Sequence, residues 1–277
     1  MKSTTMPWLR AVVLALVVGC GSGNAESAQR TASDTVFVED FESGSLGAWQ
    51  DGVDPAHQRI VDDSGGAQSG RHYLTVTYPT GAEGGWLTRF FLPGYDSLYV
   101  SLWVRFPPTW SGDTKLIALY GSRSDNQWSA FGQAGKCPTG SDFFATMLVS
   151  DWTARPAAGM TRFYAYYPAM AREPDGLTCW GRFGDGTETY TTPPMTRGVW
   201  HQLEFWVKLN SPGNRDGTQM FWVDGAPGGT WSALSLRGSP ILRLNAVQLT
   251  FSRPFSAATP AQQLQVDHLV VTTRKQR

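Results

Sequence analysis

The sequence predicts an all-β protein built as a sandwich of two antiparallel sheets. Its 277 residues include 30 glycines and 17 prolines, and aromatic residues make up 13% of the chain. Short segments that alternate apolar with polar side chains are separated by Gly, Pro, Asn and Asp, and apolar runs at helical spacing are scarce after residue 20. Regular short strands with no helix between them are typical of a sandwich, so we predict one domain over residues 35–277.

The N-terminus has the pattern of an export signal. Lys2 and Arg10 precede a short apolar run at 11–18, which ends in small residues. The segment Leu-Val-Val-Gly-Cys at 16–20 resembles a bacterial lipobox, in which the cysteine is lipidated. We predict a signal peptide over 1–20, a lipid on Cys20 and a flexible tether over 21–34. Simple secretion is the alternative, and both place the protein in the bacterial cell envelope or outside the cell.

Charge and hydropathy exclude several classes of partner. The formal net charge is +0, and the sequence has no basic stripe or acidic tail. Nucleic acid and anionic membrane surfaces are therefore not expected to bind. No apolar run reaches the roughly 20 residues that a membrane-spanning helix needs, so membrane attachment would depend on the N-terminal lipid. We expect a monomer.

Strands are predicted wherever alternation is bounded by turn residues. The first, at 35–41, ends in a Gly/Ser turn at 43–47. The others are predicted at 59–61, 73–78, 86–91, 96–106, 115–121, 143–149, 162–167, 200–208, 219–223, 244–251 and 264–272. Pro107 and Pro108 end the strand at 96–106, because proline cannot donate to a sheet ladder.

Two cysteines, Cys137 and Cys179, remain once Cys20 is assigned to the lipid. An exported protein is in oxidising surroundings, so a disulfide between them is the expected pairing, with two free thiols as the alternative. The four histidines show no zinc-ligand spacing, and we predict no metal cofactor. A structural calcium is conceivable if Asp40 and Asp267 meet where terminal strands pair, although solvated turn acids are the simpler interpretation.

Residues 200–225 predict a hairpin with two different faces. The turn residues at 210–217, Asn-Ser-Pro-Gly-Asn-Arg-Asp-Gly, should reverse the chain so that 219–223 pair back onto 200–208. Alternation places His201, Leu203, Phe205 and Val207 toward the core, and Gln202, Glu204, Trp206 and Lys208 on the opposite face. A polar face with a tryptophan suits a sugar ring, and an ordinary solvated face is the alternative.

The segment 96–106 repeats this pattern. Trp103 and Arg105 lie on its polar face, while Leu102 and Val104 lie on its apolar face. We therefore predict that Trp103 and Arg105, together with the four polar-face residues of 200–208, bind sugar hydroxyls and carboxylates. Each of them singly is more often a solvated side chain.

Four motifs in chain order resemble polysaccharide lyase family 14, the alginate and glucuronan lyases. They are GDTKLIALYG at 112–121, FYAYYP at 163–168, VKLNSPGNRDG at 207–217 and FWVDG at 221–225. The resemblance covers about residues 95–255, and the Asn-x-Pro-Gly turn followed by Val-Asp-Gly is its most specific part. It implies a concanavalin A-like β jelly roll with one concave sheet, whose exposed side chains line an open cleft for an acidic glycan.

The resemblance also implies catalytic roles for three residues. Lys115 matches the family's glycine-lysine strand and would neutralise a uronate carboxylate, while Tyr164 and Tyr166 would transfer protons during β-elimination. The alternatives are a lysine at a strand edge and two tyrosines packed on a sheet surface. A retaining glycosidase is not favoured, because no clear carboxylate pair shares a strand face.

One feature departs from the family pattern. The family's central strand carries Ser-x-Arg, whereas 143–149 here is Phe-Phe-Ala-Thr-Met-Leu-Val, which contains no arginine. Arg155 or Arg162, which are near this strand in the sequence, could take the place of the missing arginine. The sequence therefore leaves three interpretations: a divergent uronate lyase, a non-catalytic carbohydrate-binding lipoprotein with a degenerate site, and an envelope protein whose sheet contacts another protein.

Overall fold

The two predicted sheets are present, and they pack face to face as an antiparallel β sandwich. We describe a computed structural model, which defines residues 1, 34–153, 156–181, 183, 192–253 and 260–275. Residues 34–277 form one compact unit. The predicted all-β jelly-roll class is confirmed.

Thirteen strands run through the described residues. They are β1 (Thr35–Glu39), β2 (Gln58–Asp62), β3 (His72–Tyr78), β4 (Trp86–Tyr95), β5 (Ser97–Arg105), β6 (Asp113–Arg123), β7 (Phe143–Asp151), β8 (Met160–Tyr166), β9 (Trp200–Lys208), β10 (Gly217–Val223), β11 (Ala226–Leu234), β12 (Leu242–Thr250) and β13 (Gln262–Thr272). The sequence predicted all of them except β11.

The strands divide into an eight-stranded and a five-stranded sheet. The larger sheet has the order β11-β10-β9-β5-β13-β3-β2, with β1 also paired to β13, and the smaller sheet has the order β4-β12-β6-β7-β8. The first and last strands therefore pair. Strands that are close in the sequence often lie in different sheets, as β5 and β6 do.

The main core fills the space between the sheets. Apolar side chains alternate inward along the strands of both sheets, for example Leu102 and Val104 on β5 and Leu203 and Phe205 on β9, all of them buried. A second, smaller apolar cluster includes Met147 of β7 and lies on the other face of the five-stranded sheet. That outer face is therefore partly packed rather than fully solvated.

The Asn-x-Pro-Gly turn is held by one buried amide. The Asn210 side chain accepts hydrogen bonds from the backbone N–H groups of Leu236 and Arg237, at 2.7 and 2.8 Å. Its Nδ2 donates to the carbonyl oxygens of Ser211, Asn214 and Arg237. Asn210 thus joins the turn after β9 to the segment after β11.

The Val-Asp-Gly motif forms the hairpin between β10 and β11. Val223 pairs with Ala226, so the loop has two residues, Asp224 and Gly225, with φ of 51° and 75°. Positive φ at both positions fits the tight turn that joins twisted antiparallel strands. The Asp224 carboxylate also accepts hydrogen bonds from the Gln202 N–H and the His201 ring.

We predict that Asn210→Ala lowers the free energy of unfolding by about 2–5 kcal/mol, because two buried N–H groups lose their acceptor. Chemical denaturation measures the change. Asn214→Ala is the matched control, since Asn214 lies exposed in the same turn and should change stability by less than about 0.5 kcal/mol. Equal stability of Asn210→Ala and wild type would contradict this account of the motif.

Candidate active site on the five-stranded sheet

Two cations lie in one row across the outer face of the five-stranded sheet. Lys115 of β6 is opposite Val149 of β7, which in turn is opposite Arg162 of β8. Directly paired residues of antiparallel strands point to the same face, so both cations project from the face that carries Val149. Arg162 is held by Asp151, with 3.1 Å between Nη2 and Oδ2.

A β-bulge sets the direction of Lys115. The register of β6 against β7 shifts between Lys115 and Ile117, and both Leu116 and Ile117 are buried in the main core. The extra residue turns Lys115 to the opposite face. Burial lowers the pKa of its ammonium group, while the charges of Glu83 and Asp113 oppose that shift.

The two tyrosines share this face with Lys115. Tyr164 is opposite Met147 and Tyr166 is opposite Ala145, and all four belong to the outer cluster. The two hydroxyl oxygens are 3.2 Å apart, and the Lys115 Nζ is 5.2 Å from the centre of the Tyr164 ring. Tyr164 and Tyr166 are only 5% and 6% exposed, so the site is deeper than the open cleft that we expected.

A disulfide joins the two loops that lie over the tyrosines. The predicted bond between Cys137 and Cys179 is present. On one side of it, the Gly135 N–H lies 3.5 Å from the Tyr166 hydroxyl. On the other side, Gly181 accepts a hydrogen bond from the Ala165 N–H and lies so close to the Tyr164 ring that a Cβ would be 2.4 Å from it.

An aromatic layer covers the end of the face that lies beyond Tyr166. Phe131 stacks on Tyr120 with 4.4 Å between ring centres, and Trp128 packs edge-on against Phe90 at 4.8 Å. Both covering residues belong to the connection between β6 and β7. The partly exposed side chains of Lys115 and Arg162 lie toward the other end.

The predicted sugar-binding residues do not share this face. Trp103 and Arg105 are on β5, and Gln202, Glu204, Trp206 and Lys208 are on β9, both within the eight-stranded sheet. Their side chains project from its outer face, across the main core from Lys115. Alternation along a strand indicates which residues share a face, but not which sheet the strand joins.

Most of those six residues are engaged by neighbours on their own sheet. Glu204 accepts a hydrogen bond from the Tyr99 hydroxyl and lies 3.4 Å from Lys275. The Gln202 amide donates to Ser101 at 2.8 Å, and the Arg105 guanidinium lies 4.7 Å from the centre of the Trp200 ring. Lys208 is 3.9 Å from Asp216.

His201 and Asp267 make hydrogen bonds that stabilise the fold. His201 is buried, donates through Nδ1 to Asp224, and accepts at Nε2 from the Thr196 N–H at 2.8 Å. The Asp267 carboxylate accepts hydrogen bonds from three backbone N–H groups, including that of Gln68. Within the described ranges, no three His, Cys, Asp or Glu residues form a group able to hold a metal ion.

Two predicted residues lie outside the described residues. They are Cys20, the proposed lipidation site, and Arg155, one of the two arginines considered as substitutes. In the described part of the chain, no helix has the length and apolar character needed to cross a membrane.

Sequence comparisons find no match, but structure comparisons do. No protein-family model and no curated protein matches the chain. The alginate lyase Aly36B superposes with a TM-score of 0.61 at 17% identity, over 88% of this chain and 93% of that one. The marine PL-14 alginate lyase from Aplysia kurodai superposes with a TM-score of 0.61 at 16% identity, over 87% of this chain and 99% of that one.

A glucuronan lyase is also similar. The endo-β-1,4-glucuronan lyase from the fungus Trichoderma reesei has a TM-score of 0.55 at 14% identity, over 87% of this chain and 96% of that one. Two other structures of Aly36B carry alanine in place of a lysine and either a methionine or a tyrosine, in complex with an alginate trisaccharide and tetrasaccharide respectively. At these identities, the likeness shows that this chain has the jelly-roll fold of polysaccharide lyases.

Sequence reasoning left the role of Arg162 open and did not consider Trp86. Arg162 precedes Tyr164 by two residues, so alternation places both on one face once 162–167 is taken as a strand. Trp86 opens β4 on the same outer face, because it pairs with Thr250. Only the sheet order shows that Trp86, Lys115 and Arg162 share a surface.

Proposed function

We propose that this protein is a polysaccharide lyase that cleaves an acidic uronate polymer by β-elimination. The observation that carries the proposal is the convergence of Lys115, Arg162, Tyr164 and Tyr166 on one face of the five-stranded sheet. The fold likeness to alginate and glucuronan lyases supports it. Two cations suit the substrate's carboxylates, and two phenols suit the proton transfers.

The arrangement provides each element of the reaction. A cation beside the C5 carboxylate stabilises the negative charge that develops when C5 loses its proton. The electron pair of the C5–H bond forms the C4–C5 double bond as the C4–O bond breaks, and the departing oxygen takes a proton. One tyrosine, as the phenolate, can accept the C5 proton while the other, as the phenol, gives its proton to the departing oxygen. Because the two hydroxyl oxygens are 3.2 Å apart, a proton can then pass from the first to the second and restore the starting state.

We also propose that the chain is a divergent relative of polysaccharide lyase family 14. The residues of β7 on the outer face are Phe143, Ala145, Met147, Val149 and Asp151, so the family's Ser-x-Arg pair is missing from the central strand. Arg162 provides a guanidinium one strand away, and Asp151 orients it. In this proposal Arg162 neutralises the carboxylate together with Lys115.

The residue types replaced in the Aly36B complexes support the location of the active site on the five-stranded sheet. Those variants change a lysine, a methionine and a tyrosine. Here Lys115, Met147 and Tyr164 lie on three adjacent strands of one sheet, and Met147 is directly opposite Tyr164. Met147 and Val149 add apolar surface beside the cation and the phenol, which limits water in this part of the site and strengthens electrostatic interactions there.

A second candidate function is carbohydrate binding without cleavage. The low exposure of Tyr164 and Tyr166 and the missing Ser-x-Arg favour it. If the polar face of the eight-stranded sheet were the binding surface, Trp206 would carry the contact. The two functions therefore depend on opposite sheets and respond to different substitutions.

We expect the purified protein to convert alginate or glucuronan to unsaturated products that absorb ultraviolet light. Tyr166→Phe should lower kcat by about 100-fold or more, because the general acid–base group is lost. Tyr99→Phe is the control, since Tyr99 lies on the eight-stranded sheet and should leave kcat unchanged. Absence of product from every uronate polymer tested would refute the lyase assignment.

The pH profile tests the role of Lys115. If its ammonium must be charged, its lowered pKa places the alkaline fall of kcat/KM below the pH at which an exposed lysine deprotonates. Lys115→Arg keeps a cation that does not lose its proton in this range, so the alkaline fall should move to higher pH. An identical alkaline limb in both proteins would show that another group causes the fall.

We further propose that the chain is exported and anchored by a lipid on Cys20. The disulfide supports export, because such bonds persist in oxidising compartments. Bacterial cells that express the full chain should incorporate labelled fatty acid into it, and Cys20→Ser should abolish the label. Equal labelling of both proteins would contradict lipidation at this residue.

A further inference from the structure

One large aromatic side chain on the candidate active face is anchored yet exposed. Trp86 begins β4, the edge strand of the five-stranded sheet, and pairs with Thr250 of β12. It is 48% exposed. Leu87, the next residue, is buried in the main core, so the Trp86 side chain projects from the outer face.

Two contacts fix the indole. Its Nε1 donates a 2.8 Å hydrogen bond to the Asp51 carboxylate. Gly52 packs against the same edge of the ring, and a Cβ there would be 2.2 Å from Cδ1. Gly52 also has a φ of 84°, a conformation that suits glycine. The ring is thus held at its polar edge while nearly half of the residue's surface remains in contact with solvent.

Trp128, another exposed tryptophan, has a packing explanation that Trp86 lacks. Trp128, which is 47% exposed, packs against Phe90 and Phe131 in the aromatic layer. Among the described residues, no aromatic ring packs against Trp86. An exposed aromatic with a fixed orientation is the kind of surface on which the apolar face of a sugar ring stacks.

The position of Trp86 relative to the cations indicates which sugar it would meet. In sheet order, β4 and β6 are separated by β12, so Trp86 is about 10 Å from the Lys115 strand, or two strand spacings. Arg162 and the tyrosines lie on the opposite side of Lys115, on β8. A polysaccharide that crosses the strands from β8 to β4 would place a sugar unit on Trp86 beyond the reacting unit.

We propose that Trp86 is a stacking subsite for a pyranose unit of the uronate chain, separate from the reacting unit. This inference rests on the proposed lyase function and extends it, because it makes the enzyme selective for longer chains. Oligosaccharides too short to reach from Lys115 to Trp86 gain nothing from this subsite.

The test compares oligoalginates of increasing length with the polymer. Trp86→Ala should lower kcat/KM on polymeric alginate by about 5- to 10-fold through KM, since aromatic stacking of this kind contributes about 1 kcal/mol. The dimer, which is too short to reach from Lys115 to Trp86, should be cleaved as by wild type. Trp86→Phe should restore part of the loss, because it keeps an aromatic face.

Leu92→Ala is the matched control, since Leu92 is a 51% exposed apolar residue of the same strand. It should leave KM unchanged. An unchanged KM in Trp86→Ala, or an equal loss on dimer and polymer, would overturn the subsite while leaving the lyase function intact. If wild type releases no product from alginate, retention in alginate-containing gels decides the subsite: Trp86→Ala must lose retention that Leu92→Ala keeps.

Discussion

The antiparallel register of β6, β7 and β8 is the constraint on which the candidate site depends. Direct pairing across these strands places Lys115, Val149 and Arg162 in one row. The bulge in β6 directs the Lys115 side chain to the outer face, although the next two residues of the strand are buried in the core. The interactions that stabilise the sandwich therefore also position the cations. A shift of β8 by one residue would send Arg162 and both tyrosines into the core, where their polar groups would lack partners.

The motifs that carry the family resemblance divide between scaffold and site. The two most specific, around Asn210 and Asp224, hold turns of the eight-stranded sheet through side-chain hydrogen bonds, which are buried at Asn210 and exposed at Asp224. The other two motifs, at 112–121 and 163–168, supply Lys115 and the tyrosine pair on the other sheet. Matching the turn motifs is therefore strong support for the fold and weak support for the chemistry, as expected when function depends on a few side chains grafted on a common fold.

Local pattern was enough to find most strands but not their partners. Alternation identified twelve of the thirteen strands, and only β11 was missed, because Pro227, Gly228 and Gly229 resemble a loop; as an edge strand, β11 tolerates them. The sheet that each strand joins depends on contacts distant in sequence. For that reason alternation alone could not show that Trp206 and Lys115 lie on different sheets, or that Trp86 shares the face of Lys115.

The disulfide has a practical consequence for producing the protein. It connects the β6–β7 connection to the segment after β8, and both lie directly over the tyrosines rather than inside the main core. If the protein is made in a cytoplasm that keeps thiols reduced, the disulfide does not form, but the packing of the two sheets does not depend on it. Such a preparation would be soluble and would have the expected secondary structure, although the loops above Tyr164 and Tyr166 were not linked. The redox state of Cys137 and Cys179 should therefore be measured before any assay.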